Sequence, residues 1–436
     1  MDDNFKLHKG QVYFETDSFI KSYDATLNIE NNTYVLDVKG DCFSSSDFKI
    51  IQGEFQDLGY VTFIDCYLSG MSSGMISTFK YNVLHFIEGV KINRFEELIF
   101  SSLSVEMPIL KKWINKTSIK GDLIFENKIE YLGTQKFDLY KSDDIELSAS
   151  LYCKQSISRI NTNINIEEYI ELNFLANNNL NLFDLINYYR KVKILLNFFG
   201  QHHSANDYFY LKENNIIYES QDEPLIMKLH TSTVNFINNP NFNFNFSYDD
   251  LIGCYQGIFD SWFNNSKLED SINLISEKSF LKLSSETYFL NTCFSLETLH
   301  RKHFNNYVYD KIEYDEIRKG ILGKLNEKEE KLFLEKLQYA NEPSLRNRLK
   351  DFNDDFLITI KGEYNLNKLI GKIVNTRNYL VHRGEKKDVL ENIQMLEISK
   401  AIENIVKINI FRLIGIDEEK IKMKVKPIDY SSIFYK

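Results

Sequence analysis

The chain has 436 residues, 43% hydrophobic and 14% aromatic, enough for two or three domains with real cores; such a composition excludes a disordered protein. The formal net charge of −10 is unevenly spread: residues 266–436 carry 30 Lys and Arg against 27 Asp and Glu, whereas residues 1–265 carry 22 against 35. A phosphate-bearing partner is therefore expected at the C-terminal half.

Residues 1–163 show short β-type runs separated by turn residues: Thr33–Val38, Tyr60–Ile64, Leu123–Phe125 and Ile145–Tyr152. Glycines 40, 53, 59, 70, 74 and 121 read as turns between them, and Pro108–Ile114 as a short helix. The pattern predicts a β-rich N-terminal domain, an antiparallel sandwich or barrel. Residues 164–265 read as an α+β segment, either separate or part of the same region. It opens with Ile166, Tyr169 and Leu172 at helix-like spacings of three, and a stronger helix follows over 181–199. Asn177 to Asn179 read as polar loop, Phe242–Phe246 as strand-like, and Ser247 with Asp249 and Asp250 as the start of a helix reaching Phe263. From Leu268 the periodicity is helical almost throughout, with helices expected at 268–279, 285–304, 312–323, 326–340, 343–355, 365–383 and 388–414. Pro343 suits a first helical turn. Residues 266–436 thus predict an all-α bundle.

No apolar run is long enough to span a membrane, and Met-Asp-Asp-Asn-Phe-Lys lacks the order of a secretory leader, so a cytoplasmic protein without membrane contact is expected. The five cysteines (42, 66, 153, 254 and 293) are scattered, which argues for buried thiols and against a disulfide framework or a cysteine zinc site. Phosphate-binding loops, dinucleotide-binding glycine patterns, G-x-S-x-G and H-E-x-x-H are missing, and no cofactor is expected.

The informative stretch is Asn375-Thr-Arg-Asn-Tyr-Leu-Val-His-Arg-Gly384, at the end of the 365–383 helix with Gly384 as its stop. Asn378 and His382 are four apart and share a face, and Arg377 leans over the same surface. The plain alternative is a helix C-terminus using Arg and His to satisfy its last carbonyls. Arg377-Asn378-Tyr-Leu-Val-His382 resembles the R-N-x-x-x-H signature of HEPN domains, all-helical modules found in RNA-cutting toxins and defence proteins. Phe294-Ser-Leu-Glu-Thr-Leu-His-Arg-Lys-His303 is similar to the corresponding segment of ApeA-like HEPN proteins, a group associated with anti-phage defence. The resemblance covers about 268–415, and the residues before it resemble the β-rich part of ApeA-type proteins in layout.

This resemblance implies a metal-independent endoribonuclease acting on cellular RNA such as tRNA in abortive infection. Arg377, Asn378 and His382 would form its catalytic set. RNA and a second copy of the chain are the implied partners; because an unrestrained ribonuclease would harm its host, the acidic N-terminal half is expected to be a sensor and regulator answering to a phage-derived activator. RNA cleavage without a metal needs proton transfer and stabilisation of phosphorane charge, which an imidazole and a forked guanidinium can supply. Glu297, on an apolar helix face, wants a cation: the resemblance implies Arg377, while the alternatives are solvent or Arg301. His300 and His303 read as a polar rim of the site in preference to metal ligands, and His202-His203 as a loop pair. Tyr379 reads as packing in preference to base stacking. The competing function is a non-catalytic HEPN dimerisation or binding module whose β-rich domain recognises a ligand or carbohydrate.

Overall fold

The computed structural model describes residues 5–16, 19–30, 32–40, 47–122, 128–157, 164–199, 207–212, 226–232, 246–277, 282–336 and 339–431. The expected strand at Leu123–Phe125, all of the expected Phe242–Phe246 stretch but Phe246, and Cys42, His202 and His203 lie outside them. Two compact units emerge, Met1–Asp260 and Ser261–Lys436.

The first unit begins with β1 (Phe5–Thr16), β2 (Phe19–Glu30), β3 (Thr33–Lys39), β4 (Phe48–Phe55), β5 (Gly59–Ser72) and β6 (Thr78–Glu88). They pair antiparallel in the order β6-β3-β2-β1-β4-β5 and back to β6, closing a six-stranded barrel. Alternation explains the closure: Tyr34, Leu36 and Val38 of β3 are buried, and with Val12, Leu27, Ile51, Phe63 and Tyr81 they belong to one apolar core.

The chain continues through β7 (Ile99–Glu106), α1 (Pro108–Ile114), the hairpin β8 (Ile119–Asp122) and β9 (Lys128–Tyr131), then β10 (Gln135–Lys141), β11 (Ile145–Ile157), β12 (Ile164–Asn181), α2 (Leu182–Phe199), β13 (Tyr208–Lys212) and β14 (Ile226–Thr231). Strand β6 is the junction. Residues 78–83 bond β3, while residues 85–88 bond β14, from which the sheet runs on as β13-β7-β12-β11-β10. Helix α2 packs on β12 and β7 through buried Leu185, Tyr189, Val192 and Leu196. In α1, buried Trp113 donates from Nε1 to the Phe246 carbonyl at 3.0 Å.

Several expectations are corrected here. The spacing-of-three pattern at Ile166, Tyr169 and Leu172 is not helical: Ile170, Leu172, Phe174 and Ala176 are buried at alternate positions of β12, so period two prevails. No boundary falls at 163, since β12 bonds both β11 and β7. Asn177 to Asn179 are strand residues at a register shift against β7, not loop, and Asn177 Nδ2 donates to the Ser142 and Asp143 carbonyls. Glycines 53, 70 and 121 lie inside strands rather than turns. Gly53 is needed there because a Cβ would come within 2.9 Å of the Gln11 carbonyl oxygen. The helix expected from Ser247 is broken: a 3-10 turn at Asp249–Leu251 precedes α3 (Tyr255–Asn264), with Gly253 at φ +83° between them. Cys66 and Cys293 are buried, whereas Cys153 and Cys254 are only half-buried.

The second unit contains α4 (Glu269–Ser276), α5 (Ser285–His303), α6 (Lys311–Leu322), α7 (Glu327–Lys336), α8 (Leu345–Asp351), α9 (Asn353–Thr359), α10 (Leu366–His382), α11 (Asn392–Leu413) and α12 (Glu418–Lys424). Helix α11 is the central element: Met395, Ile398, Ile402, Ile405 and Ile408 are all buried, and α11 packs on α5 and α9. Helix α10 lies against α5 and α8. The single helix expected over 343–355 is two, divided at buried Phe352. Pro343 lies before the first turn and not in it, since Ser344 caps α8, accepting from Asn347 N. The last long helix starts at Asn392 rather than 388, and α12 was not foreseen. No helix among the described residues is long and apolar enough to cross a membrane.

Candidate active site

Helix α10 is capped by Asn365, whose side chain accepts from Lys368 N at 3.0 Å, and buries Leu369, Ile370, Ile373, Thr376 and Leu380. The polar residues of the motif therefore lie off its apolar stripe. The helix stops one residue earlier than Gly384 suggested. Arg383 itself takes the left-handed conformation at φ 52°, and its N–H donates to the Tyr379 carbonyl at 2.7 Å. Thr376 Oγ1 donates to the Lys372 carbonyl and accepts from Leu390 N at 2.8 Å, which folds the segment after the helix back onto it.

Arg377 is half-buried. Its Nη2 stands 3.4 Å from Glu297 Oε1 of α5, its guanidinium carbon lies 5.6 Å from the centre of the Phe294 ring, and Nη1 donates to Asn378 Oδ1 at 3.4 Å. Of the partners open to Glu297, the structure selects Arg377; Arg301 turns to Glu342 instead, at 3.2 Å. Arg377 Nε and Glu297 Oε1 are buried without a hydrogen-bond partner. Asn378 and His382 are exposed, and His382 makes no hydrogen bond or ion pair among the described residues. The arrangement offers one anchored cation, hydrogen-bonded to the neighbouring amide, beside an exposed imidazole. Such a set can bind an anion and move a proton.

His300 stands apart from this group. It is 0% exposed: Nε2–H donates to Asp351 Oδ2 at 2.7 Å, and Nδ1 faces Arg348 Nη1 at 3.1 Å. Because a guanidinium can only donate, Nδ1 must accept, and the ring is neutral with its proton on Nε2. Burial pushes its pKa down, and the Arg348 charge adds to that effect against the pull of Asp351. His300 is thus a strut between α5 and α8, not a rim of the site. Arg301 belongs to the outer part of the same network, since Glu342 also accepts from Arg348 Nη2 at 3.1 Å. His303 is half-buried with its pKa lowered, first by burial and then by Lys267. Among the described residues no group of three His, Cys, Asp or Glu side chains is placed to hold a metal ion.

Sequence reasoning missed Arg348, Asp351 and Glu342, whose distance from His300 in the chain hides the contact. It also missed Phe294 as a support under Arg377, although Phe294 lies within the quoted segment.

Residues 8–262, more than half of the chain, match the ApeA N-terminal domain 1 family, and residues 290–420 match the Apea-like HEPN family. No curated protein and no solved structure matches the chain. With both halves matched in this order, and with the R-N-x-x-x-H motif at the end of a helix inside the second, the chain belongs to the ApeA-like HEPN family.

Proposed function

We propose that this protein is a metal-independent endoribonuclease that cuts cellular RNA, tRNA foremost, in anti-phage abortive infection, acting in the cytoplasm. The observation that carries the reading is the state of Arg377: Glu297 anchors it while its buried Nε stays unpaired, beside exposed Asn378 and His382. A buried donor without a partner is costly unless something arrives to use it.

In the reaction the ribose 2′-oxygen attacks phosphorus and the bond to the 5′-oxygen breaks, leaving a 2′,3′-cyclic phosphate and a 5′-hydroxyl. One proton leaves the 2′-hydroxyl and one reaches the departing oxygen, and His382 serves this exchange. Arg377 forks onto the non-bridging oxygens as charge builds on them, and Asn378 holds the imidazole or the sugar-phosphate. A single chain offers one such imidazole, so a second copy of the chain would supply the other proton carrier.

Purified protein incubated with total RNA, with and without EDTA, tests the reading. Cutting should persist in EDTA and fall at least about a hundredfold in His382→Ala and in Arg377→Ala. Undiminished cutting by both variants would refute it, and wild-type protein that binds RNA without cutting would favour the non-catalytic module.

The acidic N-terminal half acts in this reading as sensor and regulator, responding to a phage-derived activator. Its separate family match and its own barrel core set it apart from the helical half as a domain of its own. Residues 261–436 expressed alone should be more toxic to cells than the full chain; a fragment that is helical by circular dichroism yet harmless would end the idea.

A further inference from the structure

A groove opens between the end of α10 and the start of α11, its wall including Tyr379 from the same last turn of α10 that carries His382. It encloses about 450 Å3, within the range of about 300–1,000 Å3 usual for small-ligand sites. Tyr379, Leu390 and Ile393 line it together with Glu286, Lys386 and Glu391. Ile393 is 71% exposed, an apolar surface with nothing over it. Two cations gather at the Tyr379 ring: the Arg383 guanidinium carbon lies 5.9 Å from its centre and Lys386 Nζ 6.0 Å. Arg383 also pairs with Glu286 at 3.1 Å.

The backbone at Arg383 is the second observation. Its φ of 52° is the region where glycine is at ease and a side chain is strained, and Gly384 stands next in the chain without occupying it. A long cation therefore sits in a position that glycine would fill at less cost, immediately after His382.

We propose that this groove is the subsite for the nucleotide flanking the phosphate at His382, an inference that rests on the ribonuclease reading. The base stacks on Tyr379, displacing a cation from the ring, and Arg383 and Lys386 turn to its phosphate. An occupant must present a flat apolar body, an anion for two cations and, once Arg383 turns away from Glu286, a hydrogen-bond donor for that carboxylate, and a nucleotide joins all three. A carboxylate accepts from exocyclic amino groups, so Glu286, released by Arg383, favours cytosine, adenine or guanine over uracil, whose carbonyl oxygens it repels. Stacking requires a splayed-out base, so the cut falls in single-stranded loops.

The full chain, titrated by fluorescence anisotropy with short labelled 2′-O-methyl oligonucleotides that cannot be cut, tests this. Oligo-C should bind about tenfold tighter than oligo-U. Tyr379→Leu should lose about tenfold in affinity, and Tyr379→Trp should keep it. Arg383→Gly should weaken binding and flatten its salt dependence while the melting temperature stays level or rises. A merely structural Arg383 would give the opposite pair, a lower melting temperature with unchanged binding. Equal affinity for oligo-C and oligo-U with no effect of Tyr379→Leu, or no binding at all, overturns the subsite. Assaying the same variants on total RNA separates the two ideas. Wild-type cutting with unaltered ends and affinity in Tyr379→Leu removes the subsite alone, whereas base-selective binding without any cutting removes catalysis alone.

Discussion

Glu297 Oε1 stands 3.4 Å from Arg377 Nη2, and this pair joins the middle of α5 to the last turns of α10. Both side chains are mostly shielded, at 17% and 23% exposed, and Phe294 lies under the guanidinium. The pair fixes where Arg377 points while leaving its Nε unspent. In the proposed reaction Glu297 would therefore be a positioning residue, acting through Arg377.

Glu297→Gln should retain the fold, as judged by circular dichroism, and lower the RNA-cutting rate about tenfold by loosening Arg377. Arg377→Lys should be more damaging, because an ammonium cannot fork onto two phosphate oxygens. The double variant should fall no further than Arg377→Lys alone, since contacting residues are not independent. Additive losses across this cycle would show that Glu297 acts by some route other than Arg377.

How much of this could be read from the residues depends on which interactions are local. Helix α10 and its Asn378–His382 face follow from three-to-four spacing within one segment, and α2 and α11 are legible in the same way. The left-handed residue is Arg383 although Gly384 is the cheaper choice by backbone energetics alone, so glycine position by itself does not locate the end of the helix. His300 was misplaced because its partners Arg348 and Asp351 lie on another helix, and a histidine near a motif looks the same whether it faces a substrate or a buried arginine. In β12, a chance spacing of three overlay a true alternation, and only pairing with β11 and β7 decides between them.

The His300 network predicts a pH dependence of stability. Burial holds the folded imidazole neutral, with a pKa below the ordinary value of 6.5, while Asp351 and Arg348 face it directly and Glu342 and Arg301 lie beyond. The unfolded chain then binds the proton more readily than the folded one. The stabilisation is thus full above about pH 6.5 and is lost as pH falls through that value toward the lower folded pKa. His300→Gln keeps a neutral donor and acceptor in the same place. Thermal melts at several pH values between about 7.5 and 5 should show a steeper fall for the wild type than for His300→Gln. Parallel curves would mean that His300 does not carry the effect.

Barrel closure makes a separate prediction about two glycines. At Gly10 a Cβ would meet the Glu54 carbonyl oxygen at 2.2 Å, and that neighbour is backbone of the paired strand, which cannot swing away. At Gly70 the nearest atom would be Lys80 Cβ at 3.9 Å, an ordinary contact. Gly10→Ala should force β1 from β4 and destabilise the first unit by roughly 1–3 kcal/mol, as overpacking does, while Gly70→Ala should be tolerated. Denaturant melts of the two variants compare them, and equal stability would contradict a closed seam between β1 and β4.

The final prediction concerns the second proton carrier. Attack by the 2′-oxygen and departure of the 5′-oxygen occur on opposite sides of phosphorus, so acid and base are best supplied from two directions. One His382 reaches from one direction, and, exposed on α10 and without a hydrogen bond or ion pair among the described residues, it is open to a twofold-related copy. In such a pair the same helix ends meet face to face and present two Arg377-Asn378-His382 sets to one phosphate. His382→Ala and Arg377→Ala chains, each inactive alone, should then regain part of the cutting activity when mixed, because a mixed pair keeps one intact His382 and one intact Arg377 at the same cleft. Light scattering across a dilution series should show cutting activity rising with the dimer fraction. A protein that stays monomeric at every concentration and still cuts RNA would rule out the shared cleft. Mixtures with no recovery, at concentrations where the dimer predominates, would place all three side chains of each active site within a single chain.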